Sequence, residues 1–482
     1  MNILDSKKKI DVLLTQPPHK QDENIPYFGK EIPLGIAYLA AYLEKQGITT
    51  EIFDMNVCYN PFQLYIKILD NLNPSFVGIS AFTIDIIKAN EIAKLTKNSN
   101  KDIVTIIGGV HATALPKETL EEFNYFDYLI YGRGEVTLTE LVNKLKSKED
   151  VSSLEGLAYR EGNTVKINAP RKKIISLDEL PFPAREKLEL VRYKPHKQKY
   201  KRLPNTGIIS SIGCPYHCSY CSVKIVHPQI FFRSAKKVVE EIKDCVRKFG
   251  IRDFRFYDDC FSFDRKRIVE FCRLIVDESL DISWNCVSRV DCVDFELLKL
   301  MKEAGCYLIS YGIDGGTDRS LKIINKRTTL DQARNAIKVT KRAGIESSTS
   351  FLIGIPGQTI GEMNATIRFA KELSPDLANF YILKAYPGTK IYDEAKINGK
   401  LQNKHWDKYF MQGPPVVEIG ISDEEIMRLL KKAYYSFYFR PRYIWQRIKR
   451  ILKSPIREFA VAWDGAKMVS GYFKKRTKKL SS

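Results

Sequence analysis

The chain has 482 residues, 44% apolar and 28% charged, with a formal charge of +20. That is long enough for two or three domains with cores of their own, and an aromatic content of 11% sets it apart from a disordered polymer. The opening MNILDSKKKIDVLL has no long apolar run before a small-residue cleavage site, and no later run reaches the roughly 18 uncharged apolar residues of a membrane span, so a cytoplasmic protein is expected.

From residue 1 to about 150, short β-rich runs (IDVLLTQ, TEIFDM, FVGISAF, IVTIIGG, YLIYG) alternate with helical patterns such as PLGIAYLAAYLEKQG. This rhythm predicts an α/β domain with a doubly wound parallel sheet whose ligand lies in the loops at the carboxyl ends of the strands, TQPPHK, SAFTID, GGVHATALP and YGRGE. No G-x-G-x-x-G follows the first strand, which weakens a dinucleotide reading. Residues 151–204 form a connector with a strand-like pair, GLAYREGNTVKI, and the proline-punctuated LDELPFPAREKL.

A second alternating series occupies 205–395: GIISSIG, DFRFYDD, ISWNCVSR, YLISYGID, SSTSFLIGIP and LANFYILKAY, separated by helical patterns. Six β/α units predict a partial (β/α)6 barrel of the TIM type with its site at the carboxyl ends of the strands. The first of these ends carries GCPYHCSYC. Cys214, Cys218 and Cys221 supply three thiols; a closed structural zinc site needs a fourth ligand, for which His217 or His227 are candidates. A [4Fe-4S] cluster held by three cysteines instead leaves one iron open to a substrate or cofactor.

That loop, with Tyr220 before its third cysteine, resembles the cluster motif of the radical S-adenosylmethionine enzymes. The resemblance implies that Cys214, Cys218 and Cys221 ligate the cluster and that the open iron chelates S-adenosylmethionine, whose reductive cleavage yields a 5′-deoxyadenosyl radical. Along the barrel it implies further cofactor contacts: Asp258 and Asp259 toward the methionine ammonium, Arg289 toward its carboxylate, Asp314 of YGIDGG near the ribose, and Gly354, Pro356 and Gln358 of GIPGQT beside the adenine. Taken alone, each Gly or Asp also reads as a turn residue.

The flavodoxin-like domain ahead of the barrel, with GGVHATALP, YGRGE, LDELPFPAR and AYPGTKIY, is similar to the cobalamin-binding members of that superfamily, over residues 8 to 395. Gly109, His111 and Glu135 are then expected to line the cobalamin site. The cobalt-ligating D-x-H-x-x-G is absent from TQPPHKQDEN, leaving His19 as a weak candidate and a lower cobalt face without a protein histidine as the expectation. Only Cys58 is available for a second triad in the first domain, and no cysteine follows Cys306 to hold an auxiliary cluster. The other cysteines (Cys245, Cys260, Cys272, Cys286, Cys292, Cys306) read as small core residues.

The resemblance implies a methyltransferase acting on an unactivated carbon of a small-molecule or lipid substrate, fed by an electron donor such as flavodoxin or ferredoxin. A cyclase or rearrangement enzyme of the same architecture is the alternative, and a non-catalytic cobalamin or metal sensor the reading from another class. Residues 396–482 form a basic helical region: from Arg428 onward 16 Lys and Arg face two acids. An apolar stripe at helical spacing, broken at Pro441, predicts two helices. They read first as a cap on the barrel, next as a surface for anionic membrane, and last as a nucleic-acid contact.

Overall fold

Successive residues of the first strand, β1 (Val12–Gln16), enter different cores: Val12 and Leu14 pack on one face of the sheet and Leu13 on the other. Such burial on both faces is what a continuous apolar run in a parallel sheet requires. With β2 (Thr50–Asp54), β3 (Phe76–Ser80), β4 (Val104–Gly108) and β5 (Tyr128–Ile130) it builds a parallel sheet of order 2-1-3-4-5. β6 (Leu157–Glu161) and β7 (Thr164–Ile167), the pair the sequence places in the connector, extend this sheet antiparallel from β5. The computed structural model describes residues 8–19, 29–402 and 405–453. The part of the basic region beyond 453 lies outside the described residues.

Six parallel strands form the second unit: β8 (Asn205–Ile208), β11 (Asp253–Phe256), β12 (Ser283–Ser288), β13 (Cys306–Asp314), β14 (Glu346–Ile353) and β15 (Leu377–Ile382), hydrogen-bonded in that order. The short β9 (Ser211–Ile212) and β10 (Phe231–Phe232) pair antiparallel beside them. β8 and β15 do not meet, so the barrel is partial.

An open edge exposes unpaired peptide groups. On β15 the helix Asp423–Tyr438 covers it. Tyr434 Oη donates to Phe380 O (3.0 Å) and accepts from its N–H (3.2 Å); Tyr438 Oη does the same at Ala378 (2.8 and 3.1 Å). Ile426, Leu429, Leu430, Ala433 and Phe437 of this helix join the barrel core.

The two units are locked together by buried charge. Glu241, fully buried on a barrel helix, pairs with Arg185 of the connector at 2.6 Å and with Arg233; Tyr38 of the first domain lies beside it, accepting from Arg233 at 3.1 Å. Each guanidinium also donates to a backbone carbonyl, Arg185 to Gly207 and Arg233 to Leu177, which satisfies donors that would otherwise be stranded in a dry interior.

Candidate active site

β9 and β10 tie together the two ends of the cysteine loop, Ile212 opposite Phe231 and Ser211 opposite Phe232. Gly213 turns the chain into the loop at φ +89°, where a Cβ would stand 2.5 Å from Gln229 O, so no other residue fits. Cys221 N–H donates to Cys218 O (3.1 Å) and Ser219 N–H to Ile324 O (2.9 Å), folding the loop against the end of a neighbouring helix. All three thiols are free and half-buried. Burial pushes them above the ordinary range, Cys221 to about 11, so thiolates here need a cationic centre. Among the described residues no three His, Cys, Asp or Glu side chains converge on one point as ligands of a single ion would; in a cubane each cysteine takes a different iron. Three soft donors in one pinned loop fit that cluster.

The adjacent Tyr220 reaches across to the barrel. Its hydroxyl donates to Asp314 Oδ2 (2.6 Å), which also accepts from Lys326 Nζ (2.5 Å). Asp314 ends β13 in the left-handed region, φ +68°, and both it and Lys326 are buried. Lys326 escaped the sequence reading, since it belongs to no motif. Arg289 lies over the Tyr216 ring at 3.5 Å, and its Nε and Nη2 are engaged by Asp291 (2.9 and 3.0 Å) and Lys326 O (3.0 Å). The guanidinium expected at a carboxylate of the cofactor thus already has one inside the protein.

The Asp258–Asp259 pair divides. Asp258 is buried and accepts from Ser210 N–H (2.8 Å), Ser210 Oγ (2.6 Å) and Ser211 Oγ (2.5 Å), with Arg267 at 3.5 Å. Both its oxygens are used, which corrects the expectation that it faces the cofactor. Asp259 accepts only Gly213 N–H (3.0 Å) and stands beside Cys214 and Cys221; burial raises its carboxyl to about 6. Gln358 is buried, accepting from Ile355 N–H (3.3 Å) and donating to Ser320 Oγ (3.1 Å), so its side chain clips its own loop to the next helix. Gly354 turns at φ +75°. Pro356 and Gly357 line a groove of about 1050 Å³ with Cys218 and Cys221, along with Lys224, Lys322 and Lys400.

A second cavity, of about 310 Å³, lies between the two units. Its floor is the carboxyl end of the first sheet, with Ile79, Ser80, Ile107 and Gly109; Gly134 and Glu135 open the adjoining helix; Ile209, Ser211 and Asp259 close it from the barrel. At Gly35 and Gly132 nothing lies within 4 Å of where a Cβ would stand, so their missing side chains widen the space. An apolar slot with a few polar groups and no Cβ at two walls fits a large amphipathic cofactor.

Two expected residues behave otherwise. His111 does not line this cavity: it is buried edge-on against Trp406 (4.9 Å), and burial pulls its pKa down to about 4. His19 Nδ1 is bonded to the buried Asp85 at 2.6 Å; burial opposes its charge, but Asp85 outweighs it and raises its pKa. Sequence reasoning had considered His227 only for zinc; it lines the cavity with Nδ1 buried and unpartnered among the described residues.

A B12-binding domain model matches residues 25–142 and a radical SAM superfamily model residues 208–370. An uncharacterized methyltransferase of Pyrococcus horikoshii is 34% identical over 90% of this chain and 94% of its own. The chain belongs to the cobalamin-binding radical S-adenosylmethionine enzymes. An anaerobic magnesium-protoporphyrin IX monomethyl ester cyclase of Rubrivivax gelatinosus is 29% identical to this family member over 86% of this chain and 74% of its own. In fold, this radical S-adenosylmethionine enzyme superposes on the methyltransferase TsrM of Kitasatospora setae with a TM-score of 0.68 at 19% identity, covering 87% of this chain and 82% of that one.

Proposed function

We propose that this cobalamin-dependent radical S-adenosylmethionine enzyme is a C-methyltransferase. One observation carries the reading: Asp259 lines the cobalamin cavity while its carboxylate anchors the first residue of the cysteine loop, so the methyl-carrying cofactor and the radical-generating centre share a wall. When bound, the cluster and S-adenosylmethionine supply the hydrogen-abstracting radical, and cobalamin the methyl group. The chain's residues do the rest. Cys214, Cys218 and Cys221 hold the cluster; Asp259 presents a carboxylate beside it, suited to an ammonium; Tyr220 and Lys326 fix Asp314, leaving its second oxygen for a hydroxyl. Gly109, Gly132 and Glu135 hold the cobalamin. The relatives named as methyltransferases support this reading, and the cyclase relative defines the alternative. Turnover with methyl-labelled S-adenosylmethionine separates them: label in the organic product is expected, and 5′-deoxyadenosine with an unlabelled product would overturn the proposal in favour of ring formation.

The groove over Cys218 and Cys221 is rimmed by lysines, which suits an acidic one-electron donor such as flavodoxin or ferredoxin. Among the described residues no helix is long and apolar enough to cross a membrane. The last described helix, Pro441–Lys453, turns Arg447 and Arg450 onto Asp376 of the barrel and leaves Ile444, Trp445, Ile448 and Leu452 exposed, next to the exposed Tyr435 and Phe439. This aromatic and basic surface suits contact with anionic membrane, and a lipid or small-molecule substrate follows from it. Trp445→Glu and Ile448→Glu, both at exposed sites, are expected to abolish co-sedimentation with anionic vesicles; unchanged partitioning would remove the membrane from the reading.

A further inference from the structure

Two pairs of cysteines touch in the barrel. Cys286 and Cys306, on the adjacent strands β12 and β13, are hydrogen-bonded to each other and sealed in the core, each 1% exposed. Cys260 and Cys292 are likewise hydrogen-bonded to each other, but they sit beyond the carboxyl ends of β11 and β12, at the mouth of the barrel. Cys260 is buried, whereas Cys292 is only half-buried. Cys292 Sγ also lies 3.2 Å from Tyr216 Oη, and Tyr216 belongs to the cysteine loop and carries Arg289 on its ring. One thiol of this pair is reachable from solvent, its partner waits behind it, and both lie one side chain away from the cluster loop.

We infer that Cys260 and Cys292 form a thiol–disulfide exchange site, in which Cys292 attacks small-molecule disulfides and Cys260 resolves the product. In the first step the Cys292 thiolate attacks one sulfur of the disulfide, the bond between its two sulfurs breaks, and one thiolate leaves. In the second, Cys260 attacks the Cys292 sulfur, the protein disulfide forms and the second thiolate leaves. Two electrons pass from the cysteines to the small molecule, and the two cysteine protons go to the released thiols. The Tyr216 hydroxyl supplies a hydrogen bond that favours the Cys292 thiolate. Closing the disulfide removes that acceptor from Tyr216, which gives the cluster loop a contact sensitive to thiol redox state. The core pair Cys286–Cys306 lacks access and is a built-in control.

The test uses the anaerobically reconstituted holoenzyme, whose cluster occupies the other loop thiols. It is treated with glutathione disulfide, quenched with N-ethylmaleimide and mapped by peptide mass spectrometry. A Cys260–Cys292 cross-linked peptide is expected in most molecules, with Cys286 and Cys306 still alkylated after unfolding. In the Cys260→Ser variant, Cys292 is expected to accumulate as a mixed disulfide with glutathione; in Cys292→Ser, Cys260 stays reduced. The inference is overturned if both thiols of the wild type remain alkylatable, if the mixed disulfide at Cys292 persists unresolved in the wild type, or if Cys286–Cys306 closes as readily.

Discussion

Tyr220 and Asp314 are joined by a 2.6 Å hydrogen bond that ties the residue before the third loop cysteine to the end of β13. The bond orients a carboxylate that is buried, in a left-handed conformation and paired on its other side with Lys326. In Tyr220→Phe the ion pair remains while the aromatic packing is kept. A lost hydrogen bond of about 1 kcal/mol corresponds to roughly fivefold in affinity. S-adenosylmethionine binding by equilibrium dialysis is expected to weaken by that factor with iron content unchanged; loss of iron would show that Tyr220 supports the loop instead.

Reconstituted protein should hold about four irons and four sulfides at the cysteine loop, and a triple Cys214, Cys218, Cys221→Ala variant none. Iron and sulfide assays with visible absorbance check this. Cluster absorbance persisting in the triple variant would show that the ligands lie elsewhere.

Asp258 and Asp259 should separate under the same substitution. Asp258→Asn removes a buried charge from two serine hydroxyls and Arg267, and roughly 3 kcal/mol of stability should go with it. Asp259→Asn keeps an acceptor for Gly213 N–H, so its denaturant midpoint should stay near wild type while S-adenosylmethionine binding falls about tenfold, the loss of about 1.4 kcal/mol from one charge-assisted contact. Equal destabilisation by the two variants would contradict the division of roles.

Glu31, from the first domain, accepts from Lys199 at 2.7 Å, from Tyr257 at 2.5 Å and from Arg255. Burial alone would raise its carboxyl, but Arg255 and Lys199 outweigh this and hold it down to about 2. Because the folded value lies below the unfolded one of 4.5, its stabilisation is complete above pH 4.5 and is lost as pH falls toward 2. The shift corresponds to roughly 3 kcal/mol. Urea midpoints measured from pH 6 downward should fall less steeply in Glu31→Gln than in wild type; parallel curves would refute the assignment.

Tyr434→Phe leaves a peptide N–H and C=O of the β15 edge without their partner under a buried helix. A cost of about 2 kcal/mol is expected from chemical denaturation, with cluster content unaffected. A neutral substitution would mean that the helix covers the edge by apolar contact alone.

The alternation of apolar strands with helical patterns was enough to place a parallel sheet before a six-stranded partial barrel, because strand burial is written locally, residue by residue. The strand pair at 157–167 was visible as a pair, but nothing local told which sheet would accept it; its partner β5 lies more than twenty residues earlier. Helix Asp423–Tyr438 showed its stripe in sequence, and only packing revealed that its tyrosine hydroxyls complete a sheet edge.

The amino-acid sequence by itself determined that three thiols share one short loop, that the fold is two α/β units, and which family the chain resembles, since spacing and periodicity are properties of neighbours along the chain. Tertiary structure alone decided which of two adjacent aspartates faces the cofactor cavity, that Lys326 neutralises Asp314, that His111 turns to Trp406, and that Cys260 meets Cys292. Consecutive side chains at a strand end point to opposite sides, and residues dozens of positions apart meet only when separate strands are brought edge to edge, so these relations exist nowhere in the chain until it is folded.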